Sequence, residues 1–62
     1  MDDEALRKLR HDLRSPLFAI AGFAQLLSGD RELADAERRD YAERILRASR
    51  DLERLMDEAL EP

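Results

Sequence analysis

The apolar positions of this chain fall into two runs of helical period separated by a short polar break. In the first run Leu6, Leu9, Leu13, Leu17, Ile20, Ala24 and Leu27 follow at spacings of 3, 4, 4, 3, 4 and 3 residues, a heptad pattern with a stutter between Leu13 and Leu17. In the second, Tyr41, Ile45, Ala48, Leu52, Leu55 and Ala59 keep an unbroken 4, 3, 4, 3, 4, while Leu46, Ser49, Met56 and Leu60 widen the stripe. The break holds Ser28-Gly29-Asp30 and Ala34-Asp35. The pattern predicts one helix over about 2–28, a loop over about 29–35 and a second helix over about 36–60. Gly29 is expected as the C-cap of the first helix and Asp35 as the cap of the second, with Glu37 at its positive end; Asp2, Asp3 and Glu4 favour the start of the first.

Each stripe is wider than one partner helix covers, so two hairpins are expected to associate. The expected fold is all-α: a two-helix antiparallel hairpin that pairs into a homodimeric four-helix bundle. Chain length points the same way, because a domain of 62 residues buries only about 60% of its unfolded surface. Cysteine is absent and no cluster of ligands offers a structural metal, which leaves oligomerisation as the source of further core.

Charged residues make up 42% of the chain and aromatic ones 5%, the composition of helices with exposed faces. A net charge of -4 with both signs interleaved argues against nucleic acid as a partner, which requires a basic patch; the cluster Arg7, Lys8, Arg10 and Arg14 is the local exception. No apolar run reaches the ~20 residues of a membrane span, and the acidic start Met1-Asp2-Asp3-Glu4 is unlike a secretory signal. Direct membrane contact is not expected, and the piece reads as soluble and cytoplasmic, or as the cytoplasmic part of a membrane-bound sensor.

The candidate chemistry lies in His11-Asp12-Leu13-Arg14-Ser15-Pro16-Leu17, which holds the chain's single histidine. Imidazole is mostly uncharged near neutral pH and still nucleophilic, so it can accept a phosphoryl group. Asp12 could fix the ring tautomer, and Arg10 and Arg14 could offset phosphate charge. At about 100° per residue His11 falls some 160° from the first-helix seam, facing solvent. Ser15, Phe18 and Gly22 share that side. Phe18 either docks a partner or is turned inward by a kink at Pro16. The alternatives for His11 itself are a satisfied core residue and an idle surface histidine.

The motif His11 to Leu17, followed by Ile20-Ala21-Gly22-Phe23-Ala24-Gln25-Leu26-Leu27, resembles the H-box of sensor histidine kinases, in their dimerisation and histidine-phosphotransfer domain. The second segment agrees, with Tyr41, Ile45, Ser49, Leu52, Leu55, Met56 and Leu60 at that family's apolar positions. The resemblance implies a phosphoacceptor, His11, which takes the γ-phosphoryl of ATP and passes it to an aspartate of a response-regulator receiver domain. It further implies catalytic roles for Asp12 as acid/base partner, Arg14 beside the phosphate and Ser15 as a water-positioning residue where relatives carry threonine or asparagine. Pro16 would supply a helix kink, and Phe18 and Gly22 would lie in the docking surface.

Nothing in the sequence resembles the ATP-binding domain of these kinases, with its asparagine box and glycine-rich lid. ATP and Mg are therefore expected on a separate catalytic domain, and the chain reads as a piece of a longer kinase or a module served in trans, inactive alone. Two other readings stay open: a purely structural dimerisation module, and a monomeric relay-type phosphotransfer domain, which the proline five residues after the histidine fits poorly.

Overall fold

The computed structural model describes residues 2–60; Met1, Glu61 and Pro62 lie outside the described residues. Two α-helices, α1 (Asp3–Ser28) and α2 (Asp35–Leu60), fold back on one another as a hairpin of 46 × 17 × 11 Å.

The helix ends follow from local hydrogen bonding. At the start of α1 the Asp2 carboxylate accepts the Ala5 N–H at 2.7 Å, and the Asp2 carbonyl accepts that of Leu6, which satisfies donors the first turn leaves free. At the start of α2 the expected cap is displaced by one residue. Asp35 is already helical, and Ala34 takes the capping place: its carbonyl accepts the Arg38 N–H at 3.0 Å, and Glu37 Oε1 reaches back to accept the Ala34 N–H at 3.3 Å. This is half of a capping box, missing only the hydroxyl that alanine cannot supply. Gly29 does follow α1, but in extended backbone at φ -75°, so the left-handed C-cap glycine favours is not used.

The seam that joins the helices is more regular than the leucine pattern suggests. The side chains of α1 withdrawn from solvent include Leu9, Leu13, Pro16, Ile20, Phe23 and Leu27, which keep a 4, 3, 4, 3, 4 spacing with no stutter. Leu6, Leu17 and Ala24 are exposed. The stutter read from the sequence came from merging two neighbouring stripes, because Pro16 and Phe23 occupy seam positions next to Leu17 and Ala24 of the outer stripe. On α2 the shielded residues Tyr41, Ile45, Ala48, Leu52, Leu55 and Ala59 are those the periodicity picks out. Stacking of Phe23 on Tyr41, 5.5 Å between centroids, sets the register. Heptad steps in opposite directions along the two helices then put Pro16 level with Ala48 and Leu9 level with Leu55.

Pro16 and Ala48 are the two buried residues among those described, and no large side chain is fully buried. Leu6, Leu17, Leu46, Met56 and Leu60 remain 46–66% exposed. On a helical wheel Leu6 and Leu17 lie about 60–80° from the α1 seam, and Leu46, Met56 and Leu60 about 60–140° from the α2 seam in the same rotational sense. Because the helices are antiparallel, rotation of one sense about each axis brings both stripes to the same side of the hairpin. One broad face is therefore apolar, and the opposite face carries Ser15, Arg44, Arg47 and Asp51.

Candidate functional site: the outer face of helix α1 around His11

Helix α1 runs through Pro16 as continuous α-helix, and this fixes where each motif side chain points. His11 lies about 160° from the α1 seam and is exposed, as the wheel predicts. Neither ring nitrogen takes part in a hydrogen bond among the described residues, so both stay open to an incoming electrophile.

The neighbours divide between two sides. Arg14 is exposed and borders the apolar groove lined by Leu6, Leu9, Leu13 and Leu17. Ser15, Phe18 and Gly22 are exposed on the side of His11, and Phe18 is 76% accessible. A kink has not turned its ring inward. Gly22 has no neighbour within 4 Å of the place a Cβ would occupy, so packing within the hairpin does not require glycine there.

Asp12, one residue from His11 and hence about 100° round the helix, is half-buried and faces the open end of the hairpin, in a groove shared with Lys8, Leu55 and Glu58. No hydrogen bond joins its carboxylate to the imidazole in the hairpin. Its backbone carbonyl is the one a residue with an N–H at position 16 would bond; proline has none. Pro16 itself is buried against α2.

Two basic residues that sequence reasoning passed over lie close to this surface. Arg44 and Arg47 of α2 line a shallow groove of about 220 Å³ with Ser15, Pro16, Ala19, Phe23 and Asp51. The Arg44 guanidinium covers the Phe23 ring at 5.6 Å, and its Nε donates to Asp40 at 3.0 Å. Only the pairing register brings them beside Ser15, and that register becomes legible once Phe23 is placed in the seam. Among the described residues no three side chains are arranged to hold a metal ion, and no helix is long and apolar enough to cross a membrane.

An exposed imidazole with free ring nitrogens, flanked by arginines and set one turn ahead of a buried proline, can receive and release a phosphoryl group. Comparison with known proteins points to the same chemistry. The profile of the His Kinase A (phospho-acceptor) domain matches residues 1–62. The chain is 40% identical over 53 residues to the sensor protein VanSC of Enterococcus gallinarum; the match covers 86% of this chain and 15% of that protein. No solved structure matches it. The chain belongs to the His Kinase A phospho-acceptor domain family.

Proposed function

We propose that this chain is the phosphoacceptor and dimerisation domain of a two-component sensor histidine kinase, with His11 as the residue that carries the phosphate. The observation that supports this most is the exposure of His11 with both ring nitrogens free, inside a chain of this family.

In the forward step one imidazole nitrogen attacks the γ-phosphorus of ATP held by a separate ATP-binding domain. An N–P bond forms, the β–γ bridging P–O bond breaks, and ADP leaves with the electron pair. The other ring nitrogen gives up its proton, and Asp12 is the nearest carboxylate in sequence to take it after a change of side-chain rotamer. Arg14 offsets charge on the transferring group. In the second step a receiver-domain aspartate attacks phosphorus, the N–P bond breaks, and the imidazole recovers its proton. The ATP-binding domain supplies ATP and Mg. The Ser15 hydroxyl can hold a water for hydrolysis of the receiver phosphate, and Phe18, Gly22 and the Arg47 groove form the surface the receiver meets.

Two hairpins associate through the apolar face that Leu6, Leu17, Leu46, Met56 and Leu60 leave uncovered. A hairpin whose buried residues, among those described, are one proline and one alanine lacks the core to stand alone.

The test supplies a sensor-kinase ATP-binding domain in trans with ATP labelled at the γ-position. The reading expects acid-labile label on the chain and none on His11→Gln. Equal label on both proteins, or none on either beside a positive control, overturns it.

A further inference from the structure

The lines that edge the apolar face carry charge of both signs on each helix, Asp3 and Arg10 on α1 and Arg39 and Glu53 on α2. On α1 the groove lined by Leu6, Leu13 and Leu17 is bordered by Arg7, Arg10 and Arg14, with Asp3 at its open end. Arg10, Leu17 and Ala24 stand at heptad spacing, so Arg10 continues the line of two outer-stripe residues toward the open end of the hairpin. On α2 the line Arg39, Leu46, Glu53 and Leu60 has the same spacing, with Glu53 as its one carboxylate and Arg39 at the loop end.

Arg10 and Glu53 are exposed, and neither takes part in an ion pair among the described residues. Arg10 has no carboxylate three or four residues away on its own helix; its neighbours at those places are Leu6, Arg7, Leu13 and Arg14.

The register set by Phe23 and Tyr41 puts Leu17 level with Leu46 within one residue, and seven residues further Arg10 is level with Glu53. In a dimer whose two-fold axis runs parallel to the helices, α1 of one hairpin lies on α2 of the other and heights are preserved. Leu17 then meets the partner's Leu46, and one heptad away Arg10 meets the partner's Glu53, at both seams. An axis across the helices would set α1 against α1 and α2 against α2, so Arg10 would not meet Glu53.

We propose that Arg10 and the partner's Glu53 form a symmetric pair of inter-protomer ion pairs in a parallel-axis dimer of this chain. The occupant of the apolar face is thus a second copy, chosen by charge complementarity as well as by apolar area. The proposal rests on the dimeric reading above, and adds which charged residues meet across its seams.

The experiment measures self-association of the whole chain by sedimentation equilibrium for wild type, Arg10→Glu, Glu53→Arg, and an equimolar mixture of the two variants. Each variant alone faces like charges at both seams, and association is expected to weaken about tenfold. In the mixture a heterodimer has complementary charges at both seams, so association is expected to return to within about threefold of wild type. Circular dichroism of each variant reports whether the helices persist. Mixing that restores nothing, or single variants that associate as wild type does, overturns the ion pair while leaving the dimer intact. A wild-type chain that stays monomeric overturns both.

Discussion

Phe23 of α1 stacks on Tyr41 of α2 with 5.5 Å between ring centroids and 30° between planes, and Arg44 covers the same Phe23 ring. This three-residue cluster near the loop is where the hairpin fixes its register. The seam elsewhere consists of aliphatic residues that would tolerate a slip of one heptad.

Removing the ring tests that assignment. Phe23→Ala loses half-buried aromatic area and the stack, and is expected to cost about 2 kcal/mol, less than a fully buried phenylalanine. Arg44→Ala loses an exposed cation–π contact and an exposed ion pair, and is expected to cost no more than about 1 kcal/mol. Urea denaturation followed by helical circular dichroism measures both, at one protein concentration because association contributes to stability.

Ala34 caps α2 without a side chain that can accept a hydrogen bond, although Glu37 already holds its N–H. Ala34→Ser completes the capping box and is expected to raise stability by about 1 kcal/mol. A serine variant that melts at or below the wild-type temperature would contradict the cap assignment.

Gly22 is exposed in the middle of α1 with open space around it. Gly22→Ala is therefore expected to stabilise the helix by about 1 kcal/mol. If the surface shared by His11, Phe18 and Gly22 meets a receiver domain, the same substitution slows transfer to that receiver while labelling of His11 by a small phosphoryl donor is unchanged. Both rates staying at wild-type values would place Gly22 outside the docking surface.

Pro16 deprives the Asp12 carbonyl of a helical donor, a loss of about 3 kcal/mol in a helix interior, yet its ring is buried against α2. Pro16→Ala regains the hydrogen bond and forfeits ring packing, and the net expectation is stabilisation by about 1 kcal/mol with slower amide exchange through residues 12–20. A helix that must bend or loosen beside His11 for the ATP-binding domain to approach would then be phosphorylated more slowly. Exchange rates unaltered by the substitution would show that Pro16 does not soften α1.

The sequence reading of α2 carried through to the structure because every seam position there is a strong apolar residue or alanine at unbroken heptad spacing. In α1 it did not, for a reason that lies in Pro16 and Phe23. Leucines of the outer stripe, at positions 6 and 17, are as apolar as the true seam residues, and the two stripes are less than a quarter turn apart. Periodicity alone therefore chose Leu17 over Pro16, and Ala24 over Phe23. The exposure of His11 survived this error because it lies far from both stripes. Residue preference placed Gly29 rightly at the C-cap of α1, although in extended backbone, but put Asp35 at the cap of α2 where the backbone places Ala34. The groove of Arg44 and Arg47 was illegible because it exists only when α2 is set in register against Ser15.

The central claim is that His11 accepts phosphate, and the most direct measurement uses the chain alone. Phosphoramidate transfers its phosphoryl group to imidazole with loss of ammonia and needs no ATP-binding domain. Phosphorus NMR of the treated chain is expected to show a base-stable, acid-labile phosphohistidine signal that His11→Gln lacks. An unlabelled wild-type chain beside a labelled control protein, or a signal that persists in His11→Gln, would contradict the account.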